Sequence, residues 1–128
     1  MERRKRILLS KIGLDGHDRG LKILAKKLSD SGIEVVYLGL FQTVESVVNT
    51  AVQEGVDFIG ISVLDGGQIL IAEDLRKALK DRNATNIKII FGGIIPERDR
   101  PSLEKLGVKK VFGPGTPIQE IINFIKNS

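Results

Sequence analysis

Residues able to do chemistry are concentrated in one segment, Asp15-Gly16-His17-Asp18-Arg19-Gly20, which holds the only histidine of the chain. A neutral imidazole is a ligand for transition metals, and a carboxylate two residues away can take the proton on its other ring nitrogen and so fix the tautomer. The sequence has no cysteine, which excludes disulfides, thiolate metal sites and cysteine nucleophiles. Three further stretches are rich in glycine: Ser62-Val63-Leu64-Asp65-Gly66-Gly67, Gly92-Gly93 and Gly113-Pro114-Gly115-Thr116. Without a Cβ, such positions let the backbone approach a ligand closely or turn sharply. Each feature also has a plainer use. His17 can be a solvated loop side chain, Asp15 and Asp18 can cap or turn the chain into a helix, and the glycine pairs can end strands.

These segments punctuate an alternation of short β-rich runs and helical patterns, the signature of βα units around a parallel sheet. Strands are expected near Arg6–Ile12, Glu34–Leu38, Phe58–Val63, Lys88–Phe91 and Lys110–Phe112, mostly continuous apolar runs of the kind covered on both faces. The first helix, over Gly20–Ser31, places Leu21, Leu24, Ala25 and Leu28 on one face and stops before Gly32. The second, over Val44–Glu54, has Thr43 as its N-cap and Gly55 as its stop. A third is expected over Gln68–Arg82, a fourth from Pro101 at its first position to Gly107, and a fifth after a capping box in Thr116-Pro117-Ile118-Gln119. Five such units fit a single flavodoxin-like (Rossmann-like) doubly wound α/β domain over 1–128, with a five-stranded parallel sheet in order 2-1-3-4-5 and helices on both faces. Right-handed crossovers then bring every strand-to-helix loop to the carboxyl edge of the sheet. His17 and the Ser62–Gly67 segment would face each other there, at the switch point.

With 128 residues the chain can bury one core, roughly two-thirds of the surface of its unfolded form. No apolar run approaches the ~20 residues that span a bilayer, and no apolar signal-peptide core precedes the first strand, so a cytoplasmic protein without a membrane partner is expected. The net charge is +4, with much of the excess in a basic tail over 1–5 and in Arg6. No aromatic residue is interleaved with those charges, which argues against a nucleic-acid partner.

Asp15-x-His17-x-x-Gly20, Ser62-x-Leu64 and Gly92-Gly93, in this order and separation, resemble the cobalamin-binding signature of the B12-dependent mutases and methionine synthase. The fuller segments Gly13–Gly20, Gly39-Leu40-Phe41-Gln42-Thr43, Phe91–Pro96 and Phe112–Pro117 are similar to the C-terminal domain of methylmalonyl-CoA mutase and to the small subunits of its acyl-CoA mutase relatives. The resemblance covers nearly the whole chain. It implies that His17 is the lower axial ligand of cobalt in adenosylcobalamin, with Asp15 on its other nitrogen. It also implies that Gly16, Asp18, Arg19 and Gly20 belong to the cofactor loop, and that Ser62, Leu64, Gly92 and Gly93 border a channel for the nucleotide tail. Gly113, Pro114, Gly115 and Thr116 would precede a helix N-terminus suited to the tail's phosphate or ribose. One departure stands out: the mutases usually have a small residue and then a histidine after Ser-x-Leu, and this chain reads Asp65-Gly66-Gly67-Gln68.

The implied function is carriage of adenosylcobalamin for rearrangement of an acyl-CoA thioester. A 128-residue chain used up by this fold has no room for a substrate barrel, so a separate large subunit is expected and no catalytic residue is assigned here. Two other functions share the fold. A corrinoid carrier for methyl transfer usually has a helical domain before the sheet. A phosphoacceptor receiver needs an acidic cluster after strand one and a lysine after strand five, where this chain has Gly13-Leu14 and Gly113-Pro114, although Asp65 meets its demand after strand three.

Overall fold

A computed structural model describes residues 4–12, 19–63 and 66–128. Five parallel strands, β1 (Arg6–Ile12), β2 (Glu34–Gln42), β3 (Phe58–Val63), β4 (Lys88–Gly93) and β5 (Val108–Phe112), form one sheet in the order β2-β1-β3-β4-β5. The helices are α1 (Arg19–Asp30), α2 (Val44–Glu54), α3 (Gln68–Asp81), α4 (Arg100–Lys105) and α5 (Ile118–Lys126). The expected doubly wound α/β architecture is the one observed.

Strand alternation divides the core into two. On one face Leu8, Ile59, Ile61, Ile89 and Phe91 pack with Val47, Val48, Ala51, Ala72, Leu75, Leu79 and Leu103 from α2, α3 and α4. On the other Ile7, Leu9, Phe58, Ile90 and Phe112 meet Leu21, Leu28, Ile122 and Ile125 from α1 and α5. No described helix is long and apolar enough to cross a membrane.

The second helix follows its sequence signals. Thr43 accepts from the Ser46 amide at 3.0 Å, the Thr43 amide donates to Ser46 Oγ at 3.1 Å, and Gly55 ends the helix in the left-handed region. Several elements differ from expectation. β2 continues past Leu38 to Gln42, because register shifts at Ser10 and Gly39 let it keep pace with β1. β4 continues to Gly93, since Ser62 pairs with Gly92 and Val63 with Gly93, and β5 begins at Val108. The fourth helix starts at Arg100, with Pro101 second, after a 3-10 turn over Glu97–Asp99, and ends at Lys105. The capping box at Thr116 does not form. The chain turns back between Gly113 and Thr116, so the Thr116 hydroxyl donates to the Gly113 carbonyl at 2.7 Å, and Pro117 occupies the cap position of α5. The bounds of α1 and α3 fall one residue from the expected ones.

The edge strands are unlike the middle three. β2 is largely half-exposed and irregular in register, and β5 is five residues long with Lys109 and Lys110 exposed side by side.

Gly92 and Gly93 are not equivalent. At Gly93 (φ +121°) a Cβ would lie 2.0 Å from the Val63 carbonyl oxygen, whereas at Gly92 it would meet only Phe112 O, at 3.9 Å. Gly93→Ala is therefore expected to lower stability by about 3 kcal/mol or more, while Gly92→Ala folds within about 1 kcal/mol of the parent. Urea unfolding of the two variants side by side checks this.

Candidate functional site

The α1/α5 face of the sheet tapers. Along β3 the residues pointing to this face run Phe58, Gly60, Ser62, and along β4 Ile90 is followed by Gly92, so side chains shrink toward the carboxyl edge. Aromatic packing fills part of this space, from Phe58 at the start of β3 through Phe124 to Phe112 at the end of β5. The Phe58 and Phe124 rings lie 6.3 Å apart and Phe112 and Phe124 5.7 Å apart, both edge to face. The Lys88 ammonium sits 5.6 Å from the Phe58 centroid. Beside these rings the sheet and the two helices enclose a cavity of about 720 Å³.

Its walls are mainly apolar, from Leu9, Leu21, Leu24, Ile90, Ile118 and Ile121, with the hydroxyl residues Ser62 and Thr116 among them. Lys11, buried at 2 %, and Arg19, exposed at the rim, also line it. No aspartate or glutamate occurs among its described lining residues, so the side-chain charge around it is positive.

Of the residues singled out in the sequence, Arg19, Gly20, Ser62, Gly92, Gly93, Gly113, Gly115 and Thr116 come together around this one cavity. Pro114 is exposed and does not line it. Asp15, Gly16, His17, Asp18 and Leu64 lie outside the described residues, and so does the expected meeting of His17 with the Ser62–Gly67 segment. Among the described residues no cluster of histidine and carboxylates is placed to hold a metal ion, and the metal assignment rests on His17.

Two lining residues were missed from sequence. Gly60 looks like an ordinary interruption of an apolar strand, yet a Cβ there would lie 2.9 Å from Leu9 Cδ2 and 3.2 Å from Ile7 Cδ1. The strand period held the signal, since Gly60 shares its face with Phe58 and Ser62. Lys11 lies two residues after Leu9 on the same strand, and the same count points it into the cavity.

α5 opens beside this cavity without a side-chain cap, a consequence of the Thr116 hydroxyl turning to Gly113. Its first-turn amides are thus not taken up by a capping side chain.

A doubly wound sheet with a long apolar cavity and a glycine-lined mouth at its carboxyl edge defines a cofactor-carrying module of the Rossmann-like class. Residues 5–122 match the family model described as "B12 binding domain", and the chain belongs to that family. It is 47 % identical over 122 residues to the 2-hydroxyisobutanoyl-CoA mutase small subunit of Aquincola tertiaricarbonis, covering 95 % of this chain and 90 % of the relative. It is 42 % identical over 120 residues to the pivalyl-CoA mutase small subunit of Xanthobacter autotrophicus, covering 94 % of this chain and 80 % of the relative. Among solved structures, a cobalamin-binding protein from Desulfitobacterium hafniense superposes with a TM-score of 0.81 over 97 % of this chain and 58 % of its own. At 22 % identity that likeness shows the fold.

An apolar space kept open by missing side chains should gain stability when filled. Gly92→Val is expected to stabilise the ligand-free chain by about 0.5–2 kcal/mol. The signature is a higher urea midpoint with an unchanged slope, which reports stability rather than a change in compactness.

Proposed function

We propose that this chain is the cobalamin-binding small subunit of an adenosylcobalamin-dependent acyl-CoA mutase, acting with a separate large subunit that carries the substrate barrel. The observation that carries this reading is the cavity left open above Gly92, whose lining includes Arg19 and Gly20 at the end of the Asp15–Gly20 segment. The cavity suits the nucleotide tail of a corrinoid in three respects. Its volume of about 720 Å³ lies within the roughly 300–1,000 Å³ of small-molecule sites. Its polar groups are sparse, and its lining charge is positive, as a phosphodiester requires. The N-terminus of α5, free of a side-chain cap, adds backbone amides and a favourable dipole for the same phosphate or for the ribose.

In this reading His17 would hold the cobalt, and Asp15 would take the proton of its other imidazole nitrogen so that the ligating one stays unprotonated. Ser62, Leu64, Gly92 and Gly93 border the tail, and Gly113, Gly115 and Thr116 shape the turn into α5. Bound adenosylcobalamin supplies a cobalt–carbon bond whose homolysis begins a radical rearrangement of the acyl-CoA. This chain's residues hold and orient the cofactor, and the large subunit excludes water and binds substrate, so the small subunit is not catalytic alone. A cytoplasmic location goes with this function.

The purified chain mixed with adenosylcobalamin should show the base-off, histidine-on absorption spectrum. His17→Ala should lose it, and an unchanged spectrum would refute the ligand assignment. Asp15→Asn should weaken binding about 10–100-fold if the carboxylate orients the imidazole. Equal affinity would leave Asp15 only a turn residue.

A further inference from the structure

The departure Asp65-Gly66-Gly67-Gln68 has a structural counterpart. Gln68 is the first residue of α3 and is 3 % exposed, and its Nε2 donates to Asp99 Oδ2 at 2.7 Å. Asp99 closes the 3-10 turn that leads from β4 into α4. The bond therefore ties the end of the β3–α3 connection, Gly66-Gly67, to the end of the β4–α4 connection. These two connections leave the sheet side by side, where Ser62 pairs with Gly92, Val63 with Gly93, and the Ile94 amide donates to the Val63 carbonyl at 3.2 Å.

The contact carries a cost at Gln68. Asp99 enters α4 with helical backbone (φ −87°, ψ −15°) and makes no side-chain cap bond, which leaves its carboxylate to Gln68. Gln68 keeps its other amide atom, Oε1, buried without a hydrogen-bond partner. A leucine of similar size would avoid that unpaired acceptor, so stability alone does not account for a glutamine here. A buried acceptor left unpaired at this contact points to a requirement other than stability.

We infer that Gln68 and Asp99 form a strut that holds the β3–α3 and β4–α4 connections in the spacing the cofactor needs at the cavity mouth. Gln68 does not line the cavity and is too buried to touch a ligand, so it is a positioning residue that acts through Asp99 and the two connections. The inference rests on the cobalamin-binding reading.

The test measures hydroxocobalamin affinity by titration of the full chain, alongside the thermal unfolding midpoint of the cofactor-free protein. Gln68→Leu should weaken binding about tenfold or more while the midpoint stays level or rises. Asp99→Ala should weaken binding similarly, and the double variant should lose little beyond either single one, as expected of two ends of one contact. Gln68→His keeps a side-chain N–H donor and should recover most of the affinity. A merely structural role would move affinity and midpoint down together. Unchanged affinity in both single variants would overturn the strut, as would parallel losses of affinity and midpoint with no recovery in Gln68→His. Should Gln68→Leu fail to fold, Asp99→Ala decides. If the unmodified chain bound no cobalamin, the functional reading would fall and the strut with it; normal binding with indifferent variants would remove the strut alone.

Discussion

A parallel sheet covered on both faces has to fill the space above every strand position or leave it empty, and this requirement organises the molecule. Helices α2, α3 and α4 fill one face with interlocking Val, Ile, Leu and Ala side chains. On the other face α1 and α5 close over Phe58, at the start of β3, which meets Phe124 edge to face, while Phe112, at the end of β5, packs edge to face on the same Phe124 ring. Toward the carboxyl edge Gly92 contributes no side chain, and a cavity of about 720 Å³ lies between the sheet and the two helices.

The helix starts show a similar division. α2, which follows the strand that contributes nothing to the cavity, begins with a complete reciprocal cap between Thr43 and Ser46. α3, α4 and α5, which follow strands lining the cavity, begin without any side-chain cap. Each cap is ordinarily worth about 0.5–2 kcal/mol. At α5 the hydroxyl available for capping is committed elsewhere, Thr116 to Gly113.

Much of the architecture was legible because strand and helix periods differ and because glycine, threonine and proline mark boundaries. The order of the sheet, the limits of β1, β3 and α2, and the gathering of Gly20, Ser62, Gly92 and Thr116 on one edge follow from these signals. What escaped depends on contacts distant in sequence. The reach of β2 to Gln42 comes from register shifts against β1, and the lost capping box at Thr116 comes from a competing acceptor three residues back. The pairing of Gln68 with Asp99 spans 31 positions and leaves no local pattern. Gly60 and Lys11 were in principle readable by counting alternate residues from Phe58 and Leu9, but a glycine and a lysine within strands more often signal interruption and solvent.

The flanks of the sheet have a bearing on how such a module behaves at high concentration. An exposed strand is a template for another strand, and an unguarded pair of edges invites chains to join end to end into aggregates. Here one flank is broken by shifts in register and the other is brief and carries two adjacent ammonium groups, Lys109 and Lys110. Both lateral routes to polymerisation are obstructed. A protein whose working surface must stay open to a large cofactor can then remain dispersed without covering that surface.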